Sequence, residues 1–136
     1  MKKQNRAIID TYETMYGIDI VVANRNVSLD KLKKLYTYPD GVTLDQFIVE
    51  GLSTTAVVKR ISDNKTCILI KDNKDTDVKT VDKTIDHINT IAHESLHAAL
   101  DIYDVIQQKV CTCSSEPICY LVGYIAGCVY KTLMKK

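Results

Sequence analysis

Three absences narrow the reading of this 136-residue chain. It has no apolar run long enough to cross a bilayer. Its most apolar window, 118–130, is thirteen residues long, against the roughly twenty that a membrane-spanning helix needs. It also lacks a dominant charge sign. With 18 Lys and Arg against 17 Asp and Glu, the net charge is +1, which gives no electrostatic basis for binding nucleic acid or an anionic membrane. Finally, the first residues, Met1-Lys2-Lys3-Gln4-Asn5-Arg6, lead into no apolar stretch of the kind a secretory signal carries. No internal repeat or low-complexity segment breaks the chain. The five cysteines (Cys67, Cys111, Cys113, Cys119 and Cys128) are an odd set, and without a leader they predict free thiols in a reducing compartment. Cys111-x-Cys113 followed by Cys119 lacks the usual two-residue ligand spacing and a clear fourth donor for a second metal site.

What is present is an ordinary globular composition, 46% hydrophobic and 26% charged, at a length that predicts one domain, residues 1–136. Strand signals fill the first half. Ile18 to Ala23 is β-branched and predicts a strand, with Ala7 to Tyr12 as a partner strand or a short helix. Ser28 can cap a short helix whose apolar stripe is Leu29, Leu32, Leu35 and Tyr36. The turn Pro39-Asp40-Gly41 follows it. Phe47-Ile48-Val49-Glu50, closed by Gly51, is a short strand candidate. Residues 54–61 and 66–72, joined by Ser62-Asp63-Asn64-Lys65, predict an antiparallel hairpin.

Two helices are expected in the second half. The first starts near Thr80 as its cap and runs to about residue 106. Its expected buried stripe is Val81, Ile85, Ile88, Ala92, Leu96, Ala99 and Tyr103, and its polar stripe is Asp86, Asn89, His93, His97, Asp101 and Asp104. The second starts at Ser115-Glu116-Pro117 and runs to about Met134. Its small residues Gly123, Ala126 and Gly127 would let a neighbouring helix approach. Strands followed by helices predict an α+β domain: a mixed or antiparallel sheet with a hairpin, then two packed helices.

The first of these helices holds the chemistry. His93-Glu94-Ser95-Leu96-His97 places two of the chain's three histidines one turn apart on one helix face, where both imidazoles can reach one metal ion. Glu94 falls close to that face and can take a proton from an attacking water. A catalytic zinc takes a third protein donor. Glu116 is the candidate, with eighteen residues between it and His97. The helix end lies about 14 Å past His97 at 1.5 Å per residue. The return segment, 107–115, spans up to about 30 Å when extended, so Glu116 can reach back. The plain alternatives are a chance match on a polar face for the motif, a carboxylate favoured by the helix dipole for Glu116, and a solvated charge for Asp101. His87 lies off the motif face and is expected at the surface.

His93-Glu94-x-x-His97 with Glu116 eighteen residues on resembles the gluzincin metallopeptidases, within the zincins. The spacing to Glu116 is similar to the aminopeptidase branch, and Asp101 four residues past His97 to the thermolysin helix. The small size and Tyr120-Leu-Val-Gly-Tyr-Ile-Ala-Gly also resemble short zincin-like proteins of bacteriophages. The resemblance implies a minimal zincin-like domain with Zn2+ on His93, His97 and Glu116, and Glu94 as general base and proton shuttle. A peptide or protein substrate would be held by main-chain pairing along the hairpin edge. Family members often carry an acidic residue one turn past the third ligand, where this chain has Tyr120. A partner orienting His93 would then come from Asp86 or Asn89, with Asp101 as a further supporting candidate and Tyr103, Tyr120 and Tyr124 as candidate oxyanion donors. The chain also lacks the second lobe that walls the cleft in larger family members. The resemblance therefore also implies an alternative, a phage structural or assembly protein that binds zinc without turnover. Its partners would be phage structural proteins or further copies of the chain, in the host cytoplasm or the virion.

Overall fold

The structure is a computed structural model that describes residues 6–44, 52–73 and 81–135. Its strands are β1 (Ile9–Tyr12), β2 (Asp19–Ala23), β3 (Tyr36–Thr37), β4 (Thr54–Arg60) and β5 (Thr66–Lys71), and its helices are α1 (Leu29–Leu35), α2 (Val81–Val105) and α3 (Glu116–Leu133). The strands form one mixed sheet in the order β1-β2-β5-β4-β3. The central pair, β2 and β5, is parallel, and the other pairings are antiparallel. This is the expected α+β architecture, and the stretch Ala7 to Tyr12 supplies the strand β1, Ile9–Tyr12. The strand expected at Phe47-Ile48-Val49-Glu50 and the cap expected at Thr80 lie outside the described residues.

Strand alternation divides the core into two layers, because successive side chains leave opposite faces of a sheet. Ile20, Val22, Ile68 and Ile70 point to the layer shared with α2 and α3. Val21, Ala23, Cys67 and Leu69 point to a second layer with Leu32, Tyr36 and Leu44. Covering both faces explains why β2 and β5 are nearly continuous apolar runs. Ser28 caps α1 as expected, its side chain accepting from the Lys31 amide at 3.2 Å. Tyr36 lies past the end of that helix and opens β3, still buried. At the predicted turn, the Gly41 amide donates to the Tyr38 carbonyl at 2.8 Å, and Gly41 holds φ +84°, a region open to glycine. In the hairpin turn Asn64 takes φ 57°. Arg60 and Lys65, flanking that turn, both bind the buried Asp19 carboxylate, at 3.0 and 2.8 Å, and tie the hairpin to β2.

Lys71 is fully buried at the end of β5. Its ammonium donates to the Asn24 carbonyl at 3.0 Å, the Asp72 carbonyl at 2.8 Å and Asn73 Oδ1 at 2.7 Å. Burial pushes it down from 10.5 to about 8, against the opposing pull of Asp72. A base whose folded pKa lies below its unfolded value releases its proton first in the folded state. The unfolded chain then binds more protons between those two values, so stability rises with pH across that window. Urea melts between pH 8 and 10 are expected to show a rising stability contribution that Lys71→Met removes. An identical slope in both proteins would contradict this.

Helix α2 differs from expectation in rotation. Its buried residues are His87, Thr90, Ile91, Glu94, Ser95, Ala98, Ala99, Ile102 and Tyr103, while Val81, Ile85, Ile88 and Leu96 are exposed, Ile88 at 59% and Leu96 at 47%. Ala92 is exposed as well. Of the expected stripe, Ala99 and Tyr103 are buried. The sheet layer already supplies large side chains, so the contact face of α2 is built from smaller and mixed residues that a hydrophobicity pattern underweights. The expectation that His87 is a surface histidine is overturned: it is 7% exposed, and its Nε2 has no hydrogen-bond partner among the described residues.

Helix α2 closes at Gln107, which adopts φ 59° while the Gln108 amide donates to the Tyr103 carbonyl at 2.8 Å. The linker contains a short 3-10 turn, Thr112–Ser114, and a disulfide between Cys111 and Cys113, whose Cα atoms are 5.4 Å apart. This corrects the expectation of free thiols throughout, because the linker path brings these two within bridging range. Cys67, Cys119 and Cys128 are free. Ser115 stands at the cap position before α3, but its side chain makes no capping bond. Helix α3 buries Ile118, Leu121, Ile125 and Val129 against α2 and the sheet. Gly123 and Gly127 face outward with no atom within 4 Å of an added Cβ, so no neighbour approaches there. No described helix is long and apolar enough to cross a membrane.

Candidate functional site

The site sits midway along α2, on the flank between its buried face and solvent. His93 and His97 are exposed and turn toward each other, with Nε2 atoms 3.1 Å apart and ring planes at 70°. Without a metal, that contact requires one ring to donate an N–H and the other to accept it. Zinc bound tetrahedrally to two imidazoles at 2.0–2.1 Å holds their nitrogens about 3.3 Å apart. The observed spacing therefore fits two corners of such a shell.

Glu94 is only 7% exposed. The Thr55 hydroxyl donates to its Oε2 at 2.5 Å. Thr55 lies on β4, two residues before Val57, which packs against the α2 and α3 layer, so strand alternation aims Thr55 at the helix. The carboxylate is thus anchored to the sheet beside the imidazole pair. The sequence reading missed Thr55. A polar residue at an inward-facing position of a strand next to the motif helix is the signal that marks it.

The remaining candidates fall in different places. Glu116 opens α3, as expected, and is exposed. Among the described residues no group of three His, Cys, Asp or Glu is arranged to hold a metal, so Glu116 is not gathered with His93 and His97 here, nor does Cys111-Cys113-Cys119 form a second centre. Asp101 is half-buried one turn beyond His97. Burial raises its pKa, and the nearby His97 opposes that rise. The Asp86 carbonyl accepts from Thr90 at 3.0 Å. Of the tyrosines, Tyr103 is buried and packs edge-on against Tyr16, with centroids 6.3 Å apart. The Tyr124 hydroxyl donates to the Glu13 carbonyl at 2.6 Å, which occupies its proton. Tyr120 is 75% exposed.

Along β4, β3 pairs only with Lys59 and Arg60. Among the described residues the outer edge of 54–58 has no strand partner, and this is the end of β4 that carries Thr55. No family model, curated protein or solved structure matches the chain.

Proposed function

We propose that the protein is a zinc-dependent peptidase. The observation that carries this reading is the converging His93–His97 pair beside a buried, sheet-anchored Glu94. Glu94 is buried beside two exposed imidazoles, and its Oε2 takes a hydrogen bond from Thr55 of β4. Its charge is costly to bury and requires a dedicated donor from β4. His93 and His97 would hold the ion, with Glu116 as the proposed third donor from the next helix. The bound ion would supply Lewis-acid polarisation of the scissile carbonyl and of water. Glu94, steadied through Oε2 by Thr55, takes the proton of the attacking water and passes it to the leaving amine. The outer edge of β4 would hold the substrate in an extended conformation by main-chain hydrogen bonds, bringing its carbonyl over the imidazole pair.

The second reading is a zinc-binding phage structural or assembly protein without turnover, in which the ion would need further protein donors beyond the two imidazoles, since a structural zinc is held by four. Metal analysis and cleavage assays on the purified full chain separate the readings. The peptidase reading expects about one zinc per chain, lost in His93→Ala and His97→Ala and retained more weakly in Glu116→Gln. It also expects cleavage of a mixed peptide library that a chelator stops. Stoichiometric zinc with no cleavage would favour the second reading, and absence of zinc from the wild-type chain would remove both.

A further inference from the structure

Among the described residues, strand β1 ends the sheet. The Asn24 amide donates to the Ile8 carbonyl at 3.0 Å, and the Ile8 amide donates back to Asn24 Oδ1 at 3.0 Å. In an antiparallel pair, alternate residues turn their backbone groups toward the partner strand. With Ile8 turned toward β2, the register Asp10↔Val22 and Tyr12↔Ile20 turns Asp10 and Tyr12 inward too. The backbone groups of Ala7, Ile9 and Thr11 therefore face outward. No described backbone group pairs with them.

A cavity of about 390 Å³ lies along this edge. It is an open groove lined by residues 6–10, by Lys31 and Leu35 of α1 and by Lys135 beyond α3. Its charge is one-sided. Arg6, Lys31 and Lys135 face the single acid Asp10, and Asp10 is already bound by Thr132 and Lys135, each at 2.8 Å. Arg6 and Lys31 have no carboxylate partner among the described residues.

We propose that the outer edge of β1 is a docking strand for an extended acidic segment of another protein. An unpartnered edge offers main-chain hydrogen bonds to any extended chain, and the lining selects among them by charge. A second copy of this chain pairing edge to edge would bring two such cationic linings together, which like-charge repulsion opposes. An acidic strand places carboxylates beside Arg6 and Lys31 and completes the ladder at Ala7, Ile9 and Thr11. This surface is separate from the imidazole pair, so it stands or falls independently of the peptidase reading.

The test is fluorescence anisotropy on the full chain at low ionic strength. The probe is a labelled, end-blocked alternating glutamate–valine hexapeptide. Saturable binding is expected. It should weaken by at least about tenfold with a lysine–valine hexapeptide and in the exposed-site double variant Arg6→Glu/Lys31→Glu. A similar loss is expected when alternate peptide amides are N-methylated, since that removes the ladder donors and leaves the charge. The peptide comparisons use the unaltered protein, so they do not depend on the variant's folding. No binding of the glutamate–valine peptide would overturn the proposal, as would equal binding of its N-methylated form. Equal binding by a folded double variant would likewise place the interaction elsewhere.

Discussion

Glu94→Gln is expected to lower peptide cleavage by about 10²–10⁴-fold, the range a positioned general base contributes, while zinc content stays at the wild-type level. The amide keeps nearly the same shape and can still accept from the Thr55 hydroxyl through its oxygen, so the anchor between β4 and α2 is retained. What it loses is the capacity to take a proton. His93 and His97 are untouched, and their 3.1 Å approach does not depend on Glu94. Single-turnover cleavage and metal content measured on the same preparation check this. Cleavage that survives in Glu94→Gln would assign the base elsewhere and remove the role proposed for this carboxylate. Thr55→Val sharpens the comparison. It leaves the buried Glu94 without its donor while keeping the acid, so activity should fall by less than in Glu94→Gln, and restoring a hydroxyl with Thr55→Ser should recover it.

Ile102→Ala is expected to cost about 2–5 kcal/mol, the span seen when a large buried aliphatic side chain is cut to alanine. Against a total stability of roughly 5–15 kcal/mol for a domain, that is a large share. Ile102 is fully buried in the layer where α2, α3 and the sheet meet. Alanine there leaves a cavity in that layer, in a core that relaxes only in part. Leu96 is the matching control. Its hydrophobicity and helical spacing place it in the expected core stripe, yet it is 47% exposed. Leu96→Ala should therefore change stability by no more than about 1 kcal/mol. Urea denaturation of both variants reads the difference, and equal costs would mean that α2 is rotated from the orientation described.

Most of the elements were legible from local chemistry. The hairpin of β4 and β5 follows from two β-branched runs around Ser62-Asp63-Asn64-Lys65, and α1 from Ser28 ahead of an apolar stripe. The facing of His93 and His97 follows from helical geometry alone, since residues four apart share a face whatever surrounds them. The rotation of α2 was not legible, because isoleucines and leucines run along two adjoining faces of the helix and only the shape of the sheet layer decides which is covered. Thr90, Glu94 and Ser95 are buried on the chosen face while Ile85 and Ile88 are left in solvent. The small residues of α3 were legible as small but not as outward-facing. The role of Thr55 depends on a contact between residues 39 apart in the chain, which no local pattern encodes.

By itself, then, the order of residues determined the α+β class, the hairpin, the helix lengths to within a few positions and the pairing of two imidazoles, because each depends on interactions within a few residues along the chain. The tertiary structure alone decided which face of α2 is buried, that Glu94 is anchored to β4, and that among the described residues the outer edge of β1 is unpaired and lined by cations. Each of these is a matter of which surfaces meet across the sheet, and packing between distant segments settles that question where local preference is silent.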